Sequence, residues 1–338
     1  MKKFEHGGDI AAFAESAGCG ISDVIDFSSN INFIRPHISA NFADSDITSY
    51  PEYHGLYAKI SERYNIASEN LELFNGGSTA LFALMRHLRS SHKTCVLYAP
   101  LYLEYLRAAE LLKYNITLVN RLDTQEFCIP ENALVIFVNP ATPDGTGYDI
   151  GPLLKKWRNA GCTVLVDESF LDFCELRSAL YEAVNTEAVW VLKSLTKFYG
   201  AAGVRLGFLA SSSANIADMR AGEPLWKISA LDAAYFTEAL SDEEFPARSA
   251  KANLSAEKRL SEVLENADVV EKVYPSSANF AMVKLKKGIT APRLQKKLKR
   301  FRILFRDCSN FNFLDSSFAR FAVRNNADIT KLKEALDA

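Results

Sequence analysis

The sequence predicts an α/β protein: a large domain with a mostly parallel, seven-stranded-type sheet covered by helices, and a small α+β domain. From about residue 70, short apolar runs alternate with longer amphipathic ones, as strands alternate with helices in such folds. The strand-like runs are continuously apolar, which is typical of a parallel sheet buried on both faces. The last third changes to a long charged helix followed by short strands and helices.

The predicted elements follow in order along the chain. In the large domain, strands are predicted at LELF, TCVLYAP, NITLVN, ALVIFVNP, CTVLVDES, AVWVLKSL and VRLGFLAS, and helices at STALFALMRHLRS, YLEYLRAAELLKY and IGPLLKKWRNAG. In the last third, helices are predicted at PARSAKANLSAEKRLSEVLENA, APRLQKKLKRF and DITKLKEAL, and strands within DVVEKVYPSSANFAMVKL, ILFRDCS and FARFAVR. We therefore expect a large domain at residues 46–240 and a small domain formed by residues 1–45 together with 241–338.

Composition narrows the class of protein. The chain has 338 residues, 48% of them hydrophobic, and a formal net charge of -2, so it lacks the basic excess typical of nucleic-acid or membrane partners. Its six cysteines form no C-x-x-C pair and no Cys/His cluster with zinc spacing, so we predict no metal site. The start, MKKFEHGGDI, lacks the apolar run of a signal peptide, and we expect a cytoplasmic protein.

Polar residues follow several of the predicted strands where those strands end. They are Asn75, Tyr102, Asn139, Asp167 and Ser194. Ligands of open parallel sheets bind at the carboxyl ends of the strands. This edge of the sheet is therefore the predicted functional site.

The segment NGGSTALFAL at 75–84 places two glycines and then Ser78 and Thr79 at the start of a helix. Free backbone N–H groups and the helix dipole favour a phosphate there. The alternative interpretation is an ordinary turn in which Ser78 caps the helix.

Two further segments carry reactive side chains. Asp167 ends an apolar strand in VLVDES, where a carboxylate is costly unless it is paired, either with a ligand or with a neighbouring side chain. Lys197 lies in SLTKFYGAAGVRLGF, between Ser194 and Arg205. A partly buried lysine can form an imine with an aldehyde, and serine and arginine can bind a phosphate dianion. A solvated surface lysine is the alternative.

Arg306, Arg320 and Arg324 lie on or beside predicted strands near the end of the chain. The planar guanidinium suits bidentate binding of carboxylate or phosphate. The alternative is that they are charges on the solvent face of a sheet, and we expect this for at least one of the three.

Together these segments resemble the fold-type-I enzymes that use pyridoxal-5'-phosphate (PLP), in the aspartate aminotransferase superfamily. The resemblance runs over nearly the whole chain, through HGGD, DFSSNIN, YPEYHGLYAKIS, NGGST, APLYLEY, NPATPDGTG, VDESFLDF, SLTKFYGAAGVRLGF, RDCSNF and RFAVR. Its nearest branches are the L-threonine-O-3-phosphate decarboxylases of cobamide biosynthesis and the histidinol-phosphate aminotransferases. VDESFLDF, RDCSNF and R-x-A-V-R favour the decarboxylases.

The resemblance implies a role for each candidate residue. Lys197 would be the catalytic residue and would hold PLP as a Schiff base, and Asp167 would pair with the pyridine nitrogen. The other cofactor-binding residues would be Gly77, Ser78, Thr79, Tyr102, Thr142, Ser194 and Arg205, with Tyr50 reaching the cofactor phosphate across the interface of a homodimer. Substrate would bind through its carboxylate to Arg320 and through its phosphate to Arg306, with His6, Asn32 and Arg324 as further contacts.

Two positions depart from the usual pattern of the superfamily. Thr142 stands in NPATPDG where an asparagine usually reaches the phenolic oxygen of the cofactor, and Phe170 stands where many aminotransferases have a tyrosine near the same oxygen. Both departures change the donors to that oxygen but leave PLP binding itself as expected.

The resemblance implies a PLP-dependent decarboxylase of L-threonine O-3-phosphate or L-serine O-phosphate, giving aminopropanol or ethanolamine phosphate. The alternative enzyme is an aminotransferase acting on histidinol phosphate or an aromatic amino acid. A PLP-binding transcription regulator is disfavoured, because the chain has neither the extra length nor a basic winged-helix segment.

Overall fold

The computed structural model describes residues 8–39, 47–123 and 130–338, which form two β-sheets with helices packed on them. The larger sheet has seven strands in the order β2-β8-β7-β6-β5-β3-β4. These strands are β2 (Leu71–Phe74), β3 (Thr94–Ala99), β4 (Asn115–Asn120), β5 (Leu134–Val138), β6 (Thr163–Asp167), β7 (Val189–Ser194) and β8 (Gly207–Ala210). All neighbours pair in parallel except β8, which is antiparallel to both β2 and β7. The prediction of a mostly parallel, helix-covered sheet is confirmed.

The second sheet joins the two ends of the chain. It comprises β1 (Ile25–Phe27), β9 (Val270–Val273), β10 (Phe280–Leu285), β11 (Ile303–Asp307) and β12 (Phe318–Ala322), in the order β1-β11-β12-β10-β9. β1 pairs in parallel with β11, and the other pairs are antiparallel. The pairing of β1 with β11 brings the start of the chain to its last third. The exact domain boundaries stay a prediction.

Twelve helices accompany the sheets in the described parts of the chain. They are α1 (Ile10–Ala17), α2 (His54–Tyr64), α3 (Gly77–His87), α4 (Leu103–Leu111), α5 (Ile150–Asn159), α6 (Leu180–Asn185), α7 (Leu195–Phe198), α8 (Ser213–Ala221), α9 (Ala230–Ala239), α10 (Phe245–Glu265), α11 (Ala291–Leu298) and α12 (Asn326–Asp337). Among the residues described, none of the helices is long and apolar enough to cross a membrane.

Helices cover both faces of the larger sheet and produce two hydrophobic cores. Successive side chains of a strand point to opposite faces, and β5 shows this alternation. Val135 and Phe137 enter one core, whereas Leu134 and Ile136 enter the other. A strand buried on both faces has no solvent side, which is why these strands read as continuous apolar runs in the sequence.

A buried ion pair joins the loops that follow β4 and β5, and its arginine also holds the loop that follows β3. Arg121 Nη1 lies 2.9 Å from Asp144 Oδ2, and its Nε and Nη2 donate to the carbonyl of Pro100 at 3.1 and 2.9 Å. Nη2 also donates to the carbonyl of Thr142 at 3.3 Å. Burial alone would raise the pKa of Asp144, but the guanidinium and its hydrogen bonds lower it below its ordinary value. The pair therefore fixes three loops at the carboxyl edge of the sheet.

Asp144→Ala should reduce the free energy of unfolding by about 3–5 kcal/mol, because it leaves the Arg121 guanidinium buried without its carboxylate. Urea unfolding at neutral pH measures this. The control is Asp337→Ala, which breaks the exposed pair with Lys333 and should cost only about 0–1 kcal/mol.

The effect of Asp144→Ala should also depend on pH. A carboxyl whose folded pKa is depressed stabilises the fold above its unfolded pKa of about 3.9, and this contribution disappears as the pH falls through the lower folded value. Equal losses for Asp144→Ala and Asp337→Ala would contradict the assigned role of the pair.

Candidate active site

A cavity of about 400 Å³ opens between the carboxyl edge of the larger sheet and the second sheet. Its lining contains ten of the predicted site residues: Gly77, Ser78, Tyr102, Thr142, Asp167, Ser194, Lys197, Arg205, Arg306 and Arg320. They come from segments that are far apart in sequence. The fold thus assembles most of the predicted site in one place.

One corner of the cavity combines the start of α3 with Arg205. Gly76 has a φ of +86°, and a Cβ there would come within 2.6 Å of Arg205 Nη2. A Cβ on Gly77 would lie 3.1 Å from the Cβ of Ser194. The glycines therefore let Arg205 and Ser194 approach the free N–H groups of the helix, an arrangement suited to a phosphate.

Ser78 does not cap α3, so the alternative interpretation of this segment fails. The N-cap is Gly76, which has no side chain, and the Ser78 hydroxyl lies 3.2 Å from the Tyr102 hydroxyl. Burial raises the pKa of Tyr102 above its ordinary value. Its ring therefore stays neutral in the cavity wall.

Asp167 accepts hydrogen bonds on both of its carboxylate oxygens. Oδ1 accepts from the Ser169 backbone N–H at 2.8 Å and the Ser169 hydroxyl at 2.5 Å. Oδ2 accepts from the Tyr105 hydroxyl at 2.5 Å. Within the described residues no basic side chain forms an ion pair with Asp167, so its charge is available to a cationic group of a ligand.

Lys197 lies on the single-turn helix α7, with its Nζ 5.4 Å from the centre of the Phe170 ring. Burial lowers the pKa of Lys197 below its ordinary value; the charge of Asp167 opposes this, and the nearby Arg205 and Arg320 add to it. No carboxylate among the described residues lies within ion-pair distance of its Nζ. A buried amine that loses its proton easily is a nucleophile.

Arg306 and Arg320 are directly opposite each other on β11 and β12. Two like charges in such a cross-strand pair repel each other. Arg320 is only 7% exposed, donates to the Thr142 hydroxyl at 3.1 Å and to the Ser28 carbonyl at 3.1 Å, and its buried Nε has no partner in the described structure. Burial, together with Arg306, lowers the pKa of Arg320 to about 10, so it remains charged at neutral pH. These observations indicate an anion site.

The two departures from the superfamily pattern also have defined places. Thr142 is buried, and its hydroxyl accepts the Arg320 hydrogen bond. Phe170 lines the cavity and packs edge-on against Phe280 at 5.0 Å between ring centres. Arg320 stands over that same Phe280 ring at 5.0 Å. Both positions therefore support the basic side chains of the cavity.

Five predicted site residues are not among the described residues that line the cavity. The Thr79 hydroxyl donates to the Asn75 carbonyl at 2.9 Å, on the exposed side of α3. Arg324 is half-buried and is paired with Asp328 at 3.2 Å. Their roles at the site stay predictions.

Asn32 is nearly enclosed by structural hydrogen bonds. Its Nδ2 donates to the Phe198 carbonyl and the Ser249 hydroxyl, both at 2.7 Å, and its Oδ1 accepts from Ile34 and Asn253. Its backbone N–H donates to the Lys197 carbonyl at 3.0 Å. The direct substrate contact stays a prediction, whereas these bonds hold the segment that carries Lys197.

Tyr50 and His6 are the remaining two predicted site residues that are not among the described lining residues. Tyr50 is 73% exposed and stacks on Trp226 with 4.1 Å between ring centres. A place on the surface of one chain is compatible with a contact across an interface, which stays a prediction. His6 lies outside the described residues.

Sequence motifs missed three features of the site. Tyr105 and Ser169 hold Asp167, and the Arg121–Asp144 pair fixes the loops of the cavity wall. In the sequence, Tyr105 and Ser169 stand out only as polar residues within LEYL and VDES. Nothing in the sequence relates the two residues to each other.

The charges and shape of the cavity fit PLP. Among the described lining residues there are four basic side chains but one acidic side chain, Asp167. The start of α3 with Arg205 suits the phosphate, Asp167 suits the ring nitrogen, and the amine of Lys197 suits the aldehyde. These features define a PLP-binding site of the fold-type-I kind.

Comparison with known proteins agrees with the site. The family model of aminotransferase class I and II matches residues 22–338, and the chain belongs to this family. It is therefore a PLP-dependent enzyme.

Similar proteins come from both branches. A putative threonine-phosphate decarboxylase of Caldanaerobacter subterraneus subsp. tengcongensis is 30% identical over 99% of this chain and 94% of its own length. An adenosylcobalamin biosynthesis bifunctional protein of Leptospira interrogans is 28% identical over 98% of this chain, which spans 40% of that protein. Among solved structures, the histidinol-phosphate aminotransferase of Clostridium acetobutylicum has a TM-score of 0.81 and 24% identity, covering 93% of this chain and 98% of that one. The histidinol-phosphate aminotransferase of Sinorhizobium meliloti, solved with bound PLP, has a TM-score of 0.80 and 17% identity, covering 96% of this chain and 92% of that one.

Lys197→Arg should abolish covalent attachment of PLP, because it removes the primary amine and keeps the charge. The protein is incubated with PLP, reduced with borohydride and denatured, and the cofactor that stays on the chain is measured. We expect wild type to keep it and Lys197→Arg to keep none.

Lys193→Arg is the matched control. Lys193 is also buried, but it lies 3.2 Å from Glu168 and 3.7 Å from Asp172. Burial would lower the pKa of Lys193, yet these two carboxylates raise it, so its amine stays protonated. Attachment that persists in Lys197→Arg or disappears in Lys193→Arg would contradict the assignment.

Proposed function

We propose that the enzyme decarboxylates L-threonine O-3-phosphate, or its close analogue L-serine O-phosphate, in cobamide biosynthesis. The observation that carries the proposal is the Arg306–Arg320 pair, buried at the cavity beside Lys197. A short substrate with a phosphate at one end and a carboxylate at the other needs two separate cations. The names of the two relatives support the same pathway and reaction.

Each residue has a place in this chemistry. Bound PLP supplies an electron sink for the pair of electrons released at the α-carbon. Arg320 would hold the substrate carboxylate, and Arg306 its phosphate. Because the orientation of the carboxylate decides which bond breaks, Arg320 would favour loss of CO2 over loss of the α-proton. Lys197 Nζ, whose pKa is lowered, would then deliver a proton to the α-carbon.

The alternative is an aminotransferase of the histidinol-phosphate type. It is favoured by the likeness of the fold to the aminotransferase structures and by the phosphate that both substrates carry. Histidinol phosphate has no carboxylate, however, so Arg320 would have its anion only when the second, keto-acid substrate binds. The two reactions therefore differ in whether a keto acid is required.

The substrate assay separates the two reactions. The enzyme with PLP should release CO2 from phosphothreonine or phosphoserine without 2-oxoglutarate. A pocket separates substrates that differ by one methyl group by only about 1–3 kcal/mol, or roughly 10–200-fold in kcat/KM, so both should be measured in parallel. If neither released CO2 while histidinol phosphate with 2-oxoglutarate gave glutamate, the aminotransferase would be the correct function.

Arg306→Ala should mainly raise KM for the phosphoamino acid, by roughly 10- to 150-fold, because it removes charge-assisted hydrogen bonds to the phosphate. Arg320→Ala should lower kcat as well, since it also fixes the bond that breaks. Arg293→Ala, an exposed arginine of α11, is the control and should change neither. The same kinetic change in both cavity variants would disagree with separate roles.

We also propose that the active unit is a homodimer in which Tyr50 donates to the cofactor phosphate of the other subunit. Tyr50→Phe should then weaken PLP binding by about 1.5–3 kcal/mol, the size of one charge-assisted hydrogen bond. Tyr181→Phe, another exposed tyrosine, should leave the affinity unchanged. Sedimentation of a fully active monomer would rule out the dimer, and equal PLP affinity in both variants would rule out the role of Tyr50.

A further inference from the structure

Tyr105 forms a direct contact with the carboxylate of Asp167. It lies on α4, is only 1% exposed, and its hydroxyl donates to Asp167 Oδ2 at 2.5 Å across 62 residues of sequence. Ser169 supplies two donors to the other oxygen. Both oxygens of this cavity carboxylate are therefore held from the protein side.

The tyrosine is the donor in this contact. Burial raises the pKa of Tyr105 well above its ordinary value, and the negative charge of Asp167 raises it further. The phenol therefore keeps its proton and places it against the carboxylate. A backbone carbonyl would also have satisfied a buried hydroxyl, as the Met85 carbonyl does for Tyr114 at 2.6 Å.

We infer that Tyr105 is a positioning residue that donates to the Asp167 carboxylate and thereby keeps the shared proton on the ring nitrogen of bound PLP. The inference rests on the proposed pairing of Asp167 with that nitrogen. A proton shared by a carboxylate and a pyridine nitrogen stays on the nitrogen when other donors stabilise the carboxylate. The effect is large here because the contact is buried, where hydrogen bonds are stronger than in water.

The ring of Tyr105 has a second contact that a test must preserve. It meets the Tyr102 ring edge-on, with 6.2 Å between centres and an angle of 86°. Tyr105→Phe removes only the hydroxyl and keeps this packing. Tyr114→Phe is the matched control, because it removes the same group from another buried tyrosine that donates at nearly the same distance to a carbonyl.

The experiment measures the ring nitrogen itself. The holoenzyme is prepared with PLP carrying nitrogen-15 in the ring. The chemical shift of that nitrogen at neutral pH reports how far the shared proton lies on the nitrogen in wild type, Tyr105→Phe, Tyr114→Phe and Asp167→Asn. In Tyr105→Phe the ratio of nitrogen-bound to carboxylate-bound proton should fall about tenfold, the size expected for the loss of one hydrogen bond to a charged group, and the chemical shift should move towards that of an unprotonated ring nitrogen. Tyr114→Phe should match wild type, and Asp167→Asn should move at least as far as Tyr105→Phe.

The possible outcomes separate this inference from the role of Asp167. A nitrogen-15 chemical shift that is unchanged in Tyr105→Phe but moved towards the unprotonated nitrogen in Asp167→Asn overturns the role of Tyr105 alone. No change in either variant also overturns the pairing of Asp167 with the ring nitrogen. Equal shifts in Tyr105→Phe and Tyr114→Phe would show a general loosening and overturn the inference too.

A second replacement covers the case in which Tyr105→Phe does not fold. Incorporation of 3-fluorotyrosine at position 105 makes the phenol a stronger donor without removing it. The nitrogen-15 chemical shift should then move further towards that of a protonated ring nitrogen, and a shift that stays or moves the other way overturns the inference.

Discussion

An excess of buried positive charge governs the active site. Arg306 and Arg320 line the cavity, and each guanidinium lies over an aromatic ring, Phe311 at 5.2 Å and Phe280 at 5.0 Å. A ring face attracts a cation, whereas a carboxylate would also cancel its charge. The aromatic rings thus orient the two arginines. Lys197 Nζ lies 5.4 Å from the centre of the Phe170 ring, and because its pKa is lowered it serves as the nucleophile.

The excess of positive charge is divided between the two sheets of the fold. The larger sheet supplies Asp167, Lys197 and the start of α3, which suit the cofactor. The second sheet supplies the arginine pair from β11 and β12, which suits the substrate. Repulsion between the two opposed arginines weakens the second sheet until an anion lies between them. Ligand binding should therefore stabilise the fold as well as complete the site, since a ligand that binds only the native state shifts the unfolding equilibrium.

The sequence was sufficient where local pattern and local chemistry coincide. Apolar strands ending in polar residues predicted the sheet and its functional edge, and the spacing of Ser194, Lys197 and Arg205 predicted one corner of the site. The sequence also showed no sign of α8 or α9, because neither helix has a one-sided apolar pattern. Those two helices are determined by packing against the rest of the molecule, and this packing leaves no local pattern in the sequence.

Contacts between distant residues account for the rest. Tyr105 and Asp167 are 62 residues apart, and Arg121 and Asp144 are 23 apart, so neither pair has a sequence signature. Asn32 shows that an asparagine in a familiar motif can also carry structural hydrogen bonds, while its direct contact with substrate stays a prediction. Its amide binds Phe198, Ser249 and Asn253, which no reading of the motif could reveal. A residue type indicates which chemistry is possible, whereas its partners decide how it is used.

The most direct measurement is a crystal structure of the PLP-bound enzyme with a non-decarboxylating phosphonate analogue of L-threonine O-3-phosphate, in which a phosphonate replaces the carboxylate. We expect the phosphonate on Arg320 and the phosphate ester on Arg306, with Lys197 beside the α-carbon. Anionic groups bound elsewhere, with Arg306 and Arg320 paired to carboxylates of the protein, would contradict these roles.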